Sequence, residues 1–338
     1  MQKPHKMDRR SFLKLAGLTA VAGAVPVLSP AIGLASLDRD HKVAQETRMM
    51  MGTLVAITVV DGSAQRAQDA LEKAFQRMDS LVPVFDRHNP GGLLTALNQE
   101  GSLSEIPPDL AQVWEFSRQM HSQTGGAFDP SVAPLVDLCK DSFAATGKPP
   151  APEALHQALG LVGAAGWREG RLVLTKTGAA VTLDGVAKGF LVDRGLEAAA
   201  AAGAKHVLIN AGGDIGVLGD RAGRPWRVAV ADPSDPQAPL MTFSMQTGAV
   251  ATSGNYEVFF DREKLYHHII NPATGLSPAL DVSSSVRAPS AALADALSTA
   301  CFVMKPVEAQ AYLQKRPHLE GLIITRSGQR FATGGFQA

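Results

Sequence analysis

The sequence predicts a mixed α/β fold, an α+β arrangement of largely antiparallel sheets with packed helices. Short runs rich in β-branched residues recur along the chain and end at Gly, Asp or Ser turn residues. Between them lie stretches with apolar residues at helical spacing. Turn-bearing connections make many of the strand pairs antiparallel, and no internal repeat or low-complexity linker breaks the pattern.

In chain order, Met51-Gly52-Thr53 opens a strand over Leu54–Val60, and Asp61-Gly62-Ser63 turns out of it. Ala64–Leu81 carries Ala67, Leu71, Ala74, Phe75 and Met78 on one helical face. Asp109–Gln123 is a second helix, ended by Gly125-Gly126. Pro149, Pro150 and Pro152 mark a surface connection before another short helix. Arg171–Thr175 and Ala180–Leu183 read as a hairpin. Gly189–Ala202 is an alanine-rich helix closed by Gly203, and His206–Asn210 is a short apolar strand. Further strands are expected at Trp226–Ala231, Met241–Met245, Val250–Thr252, Leu265–Ile270 and Val282–Arg287. Ala291–Met304 is helical and limited by Pro306. The end alternates helix (Val307–Lys315) and strand (Leu322–Thr325), with Ser327-Gly328 as a hairpin turn.

A chain of 338 residues that is 45% hydrophobic can bury a sizeable core. Its 32 Lys and Arg balance its 32 Asp and Glu, which argues against a nucleic-acid or acidic-membrane partner. Aromatics at 6% argue against a base-stacking platform. Cys139 and Cys301 lie far apart, with no CxxC or zinc spacing, and read as buried small hydrophobes rather than as a disulfide.

Residues 1–35 read as an export signal and 36–338 as the mature domain. Arg9-Arg10-Ser11-Phe12-Leu13-Lys14 precedes an apolar stretch rich in Ala, Gly and Val, which ends at Gly33-Leu34-Ala35. The arginine pair resembles the twin-arginine signal, so the translocation machinery of that route is an expected partner. Pro26, Ser29 and Pro30 weaken the competing reading as an uncleaved anchor. The expected location is the periplasm.

Four constellations have residues suited to chemistry. Gly125-Gly126-Ala127-Phe128-Asp129-Pro130 lets backbone approach a ligand, or is a helix C-cap and turn. Thr182-Leu183-Asp184-Gly185-Val186-Ala187-Lys188-Gly189 ends a strand and starts a helix, where amides and Lys188 favour phosphate. Thr182 and Asp184, two apart, would share a strand face; alternatively, Asp184 is an N-cap. Thr252-Ser253-Gly254-Asn255-Tyr256 precedes His267-His268-Ile269-Ile270-Asn271-Pro272, whose adjacent histidines would face opposite sides of a strand. One of them could serve as a base or orient a nucleophile; alternatively, both are structural. Asp295 and Thr299 are i and i+4 on a helix, hard oxygen donors suited to Mg²⁺.

Taken in this order, these segments resemble the FAD:protein FMN transferase family, also called ApbE. The likeness runs from Met51-Gly52-Thr53 through Phe85-Asp86, Leu97-Asn98, Gly126–Pro130 and Ala133-Pro134-Leu135. It continues through Asp184–Phe190, Ile209–Ile215, Thr252-Ser253-Gly254, His268–Gly275 and Ala294-Asp295-Ala296-Leu297. The resemblance implies an ApbE-like fold and FAD binding at Met51, Phe85, Ala127, Phe128, Asp129, Thr182, Lys188, Ile269 and Ile270. It implies Mg²⁺ near the Gly185 carbonyl, Asp295, Ser298 and Thr299, and a catalytic His268. The family more often has Asp in place of Thr182 and Gly or Ser in place of Asp184, although one branch reads Thr-Leu-Asn-Gly; Asp184 is therefore expected to supply the missing carboxylate. Ser298 is a weaker ligand than the Asp that some members carry.

The implied chemistry is attack of a Ser or Thr hydroxyl on the FMN phosphorus of FAD, with AMP leaving. The implied acceptors are exported electron-transfer subunits carrying an Asp-x-x-[Ser/Thr]-Gly-Ala-[Ser/Thr] motif, which this chain lacks. Two other readings share the motifs: an FAD pyrophosphatase, with water as acceptor, and a non-catalytic exported FAD carrier.

Overall fold

The computed structural model describes residues 41–337, so the expected signal over 1–35 lies outside the described residues. The described chain opens with a hairpin. β1 (Lys42–Met50) pairs antiparallel with β2 (Thr53–Asp61), joined at Met51, whose φ is +47°. Side-chain periodicity does not predict β1. It is a sheet edge bearing Lys42, Glu46 and Arg48, and its polar alternation hides its strand character.

α1 (Ala64–Phe85) is capped by Ser63, whose Oγ accepts from the Arg66 amide at 3.4 Å. It continues past the expected Leu81, with Pro83 in its last turn, because Leu81 and Phe85 extend its buried face. α2 (Leu93–Glu100), β3 (Ser102–Leu103), α3 (Pro108–Gln123), a 3₁₀ turn (Pro130–Val132), α4 (Ala133–Thr146) and α5 (Pro152–Leu159) follow. α2 and α4 lie outside the helices that the sequence predicts.

The expected hairpin over 171–183 is corrected. β5 (Arg171–Leu174) pairs with β4 (Ala165–Arg168) and with β3, and residues 180–183 form no strand. The reason is local. The Asn98 side chain takes both backbone groups of Val181, donating to its carbonyl at 2.9 Å and accepting from its amide at 2.8 Å. The Thr182 amide donates to the Pro130 carbonyl at 2.7 Å. These partners replace a ladder.

α6 (Ala187–Ala201), β6 (His206–Ala211), β7 (Asp214–Leu218), β8 (Trp226–Asp232), β9 (Asp235–Met245), β10 (Thr247–Gly254), β11 (Asp281–Ala288), α7 (Ala291–Val303), α8 (Pro306–Gln314), β12 (Glu320–Thr325) and β13 (Arg330–Ala332) complete the fold. The expected strand over 265–270 is also corrected. It is an irregular loop whose ladder pairing is a single bridge between Phe259 and His267.

Eight strands form one antiparallel sheet in the order β1-β2-β6-β7-β10-β11-β12-β13. Period-two alternation divides its side chains. Ile57, Val59, Ile209, Ala251 and Ile323 join the large core beneath α1, α6 and α7. Leu208, Ile215, Val217, Val250 and Ile324 face the β8–β9 hairpin with Trp226 and Val228. The register brings three connections to the same sheet end: 51–52, 212–213 and the long loop 255–280.

Candidate active site

The candidate site lies at that sheet end, between the first turn of α6 and the middle of α7. Gly189 fixes the distance between these helices. A Cβ on it would meet the Ala291 carbonyl oxygen at 2.3 Å. The closeness lets the Gly189 amide donate to Asp295 Oδ2 at 3.0 Å. One turn on, the Asp193 carboxylate accepts from the Ala291 and Ala292 amides at 2.7 and 2.9 Å and closes the start of α7.

Asp295 is 3% exposed, and burial raises its pKa, with Asp214 adding to the rise. Lys188 ion-pairs with the buried Asp214 carboxylate, and its Nζ lies 4.0 Å from Asp295 Oδ1. Burial alone would lower the Lys188 pKa, but Asp214, Asp295 and Glu257 raise it, so it carries its charge. Glu257 is pushed up to about 7 by burial, against the pull of Lys188.

Hydroxyls converge beside Asp295. Ser253 Oγ on β10 lies 2.8 Å from Ser298 Oγ and 3.2 Å from Thr299 Oγ1. Gly185 packs against Thr299 Oγ1 and the Phe128 ring, each 3.2 Å from the position of a Cβ on it. Gly185, Asp295, Ser298 and Thr299 are thus brought near one another. Among the described residues no group of three or more His, Cys, Asp or Glu side chains is arranged to hold a metal. The donor set here is different: one carboxylate, three hydroxyls and a glycine backbone. It fits a hard cation such as Mg²⁺, which keeps several ligand positions for water and substrate phosphate.

The histidines separate. His267 is fully buried, edge-on to Phe302 at 5.4 Å, and its Nε2 donates to the Pro278 carbonyl at 3.2 Å. Burial lowers its pKa to about 4, so it is neutral and structural. His268 is partly exposed, and its Nδ1 lies 3.0 Å from the Val258 carbonyl. A carbonyl only accepts, so Nδ1 carries the proton and Nε2 keeps its lone pair. Burial lowers its pKa, while the Val258 carbonyl and Asp184 favour its protonated form.

Asp184 is not on a strand face with Thr182, nor does it cap α6, whose N-cap is Val186. The Thr182 hydroxyl is turned inward and accepts from the Asp184 amide at 3.1 Å, while the Asp184 carboxylate is half-exposed, 3.6 Å from Arg87 Nε. Arg87 also makes a bidentate pair with Asp137 at 2.8 Å.

Ala127 packs on Ile269, Phe302 and Val303, and Ile270 anchors the loop against Leu135 and Cys139. Asp129 caps the 3₁₀ turn by accepting from the Ser131 amide at 2.8 Å. Met51 stands at the β1–β2 turn, next to Thr53, which lies against Gly212. Phe85 is set apart: it is fully buried, edge-on to Phe190 at 5.4 Å, and presents no side-chain surface. Asp214, Ser253, Glu257 and Arg87 were not singled out from sequence as site residues. Asp214 and Ser253 had a signal, in Gly212-Gly213-Asp214 and Thr252-Ser253-Gly254, whereas Glu257 and Arg87 had none.

Comparison with known proteins bears on this geometry. The model of the ApbE family matches residues 51–323. A Treponema pallidum protein named FAD:protein FMN transferase is 30% identical over 318 residues, covering 86% of this chain and 88% of its own. One of the same name from Vibrio cholerae is 32% identical over 305 residues, covering 87% and 85%. The crystal structure of the ApbE protein from Thermotoga maritima superposes with a TM-score of 0.79 at 26% identity, covering 88% of this chain and 98% of that one.

Proposed function

This chain belongs to the ApbE family, and on that premise we propose that it is an FAD:protein FMN transferase that moves the FMN half of FAD onto a Ser or Thr hydroxyl of an acceptor protein, with AMP as the other product. The observation that carries this reading is the meeting of Lys188, Asp295, Ser298, Thr299 and Gly185 at one sheet end.

Phosphoryl transfer asks little covalent chemistry of a protein and much positioning of charge. Gly185, Asp295, Ser298 and Thr299 would hold Mg²⁺, which when bound neutralises pyrophosphate oxygens and orients the leaving group. Lys188 keeps its charge in the buried cluster and supplies a cationic contact for phosphate. His268 Nε2 accepts the proton of the acceptor hydroxyl as the oxygen bonds to phosphorus and the bond to AMP breaks. Asp184, half-exposed, favours the imidazolium that results. Met51, Phe85, Ala127, Phe128, Asp129, Thr182, Ile269 and Ile270 frame the cofactor, Phe85 only through its backbone or its packing on Phe190.

Export by the twin-arginine route to the periplasm, and acceptors among exported electron-transfer subunits, complete the proposal; this part rests on residues 1–35. The test is intact-mass spectrometry of an acceptor domain with the Asp-x-x-[Ser/Thr]-Gly-Ala-[Ser/Thr] motif, incubated with the mature protein, FAD and Mg²⁺. The expected result is a gain of one FMN phosphoester. Free FMN and AMP beside an unmodified acceptor would make the protein a pyrophosphatase. Intact FAD would make it a carrier.

A further inference from the structure

Lys188 stands between two buried carboxylates from distant parts of the chain, Asp214 at the start of β7 and Asp295 in the middle of α7. Its Nζ pairs with Asp214 Oδ2 and stops 4.0 Å short of Asp295 Oδ1. Both acids are held in place. Asp295 Oδ2 accepts from the Gly189 amide at 3.0 Å, so Oδ1 is the oxygen that remains for a cation. Asp214 is set by the β6–β7 turn. Gly212 and Gly213 take φ values of +65° and +104°, the Gly213 amide donates to Asn210 Oδ1 at 2.9 Å, and Asp214 pairs with Ala211 across the ladder. Lys188, by contrast, is a compact point charge on a flexible four-carbon stem.

An ammonium and Mg²⁺ compete for the same carboxylate oxygen. From 4.0 Å, a shift of about 1 Å would bring Lys188 Nζ into a charge-assisted hydrogen bond with Asp295 Oδ1. Mg²⁺ would then lose the carboxylate of its donor set, because Gly185, Ser298 and Thr299 offer only neutral oxygens. The Asp214 carboxylate opposes that shift in two ways. It holds the ammonium in contact with itself, and it cancels the charge of Lys188, so a cation on Asp295 meets no uncompensated positive charge a few ångströms away.

Resting on the Mg²⁺ site of the transferase reading, we propose that Asp214 is a positioning residue that keeps Lys188 off Asp295 and so leaves Asp295 Oδ1 open to the cation. The test is isothermal titration calorimetry of the mature protein with Mg²⁺ alone, without FAD or acceptor, so that binding is read apart from activity. Asp214→Asn, close in shape but neutral, should weaken Mg²⁺ binding at least about tenfold, roughly 1.4 kcal/mol. The double variant Asp214→Asn/Lys188→Met lacks the competing ammonium and should bind Mg²⁺ within about threefold of the wild type on the same scale. A purely structural role for Asp214 would leave the double variant as weak as the single one. Lys188→Met alone sheds the competitor and keeps Asp214, so it should bind Mg²⁺ at least as tightly as the wild type; this keeps the test open should Asp214→Asn fail to fold. Wild-type affinity in Asp214→Asn, no recovery in the double variant, or weaker binding in Lys188→Met would each overturn the role of Asp214 while leaving the metal site standing. A wild-type protein that takes up no Mg²⁺ would overturn the metal site and this inference with it.

Discussion

The Gly189 amide donates to Asp295 Oδ2 at 3.0 Å, tying the start of one helix to the middle of another. Two consequences follow. The carboxylate is held in one orientation at 3% exposure, and its other oxygen is left toward Lys188 at 4.0 Å. The bond exists because residue 189 has no side chain to keep the Ala291 carbonyl away.

Asp295→Ala should therefore lower FMN transfer at least about 100-fold, the scale of losing a main stabiliser of transition-state charge. EDTA should do the same to the wild type, and added Mg²⁺ should restore only the wild type. Intact-mass measurement of the acceptor against time reads both.

Gly189→Ala should destabilise the fold by about 1–3 kcal/mol, the usual cost of forcing a methyl into packed structure. The clash is with backbone, which cannot rotate away. A fall in the denaturant midpoint checks it. An unchanged midpoint would mean that the two helices part easily, and that Asp295 is not held by their spacing.

His268→Gln should slow transfer about 10²–10⁴-fold, the range for a lost general base, with FAD affinity retained. Burial lowers the His268 pKa, so its imidazole is neutral across neutral pH, and activity should rise through that lowered pKa and then level. Asp184→Asn removes a carboxylate that favours the imidazolium, and should move the rise to still lower pH. The pH dependence of kcat/KM measures both shifts.

Asp281 is 1% exposed, neither of its carboxylate oxygens has a hydrogen-bond partner, and burial pushes its pKa up to about 7. Below about pH 4 folded and unfolded chains both hold the proton, so it costs nothing. As pH rises to about 7, the unfolded chain releases the proton while the folded one keeps it, and stability falls. Asp281→Asn should therefore be more stable than wild type at pH 8, by at most about 4 kcal/mol, with little difference at pH 4. Denaturant unfolding at both pH values decides it.

Much of this protein was legible in its sequence. Strands such as Leu54–Val60 and His206–Asn210, and the helices beginning near Ala64, Asp109, Gly189 and Ala291, follow from side-chain periodicity, which is local and survives without tertiary context. The order of the site segments was equally plain, because the glycines and polar residues that let backbone approach a ligand stand out from apolar runs. Tertiary structure decided the rest. Residues 180–183 and 265–270 have the composition of strands, but distant partners took their backbone groups: Asn98 and Pro130 for the first, Val258 and Ser277 for the second. Asp214 and Glu257 entered the site only when sheet register and the long loop carried them to Lys188. Arg87 gained its place between Asp137 and Asp184 by a fold that closes across fifty and ninety-seven residues of chain. Periodicity fixes which face of an element is buried, while a charge buried far from its neighbours in sequence is paired only by what the assembled fold sets beside it.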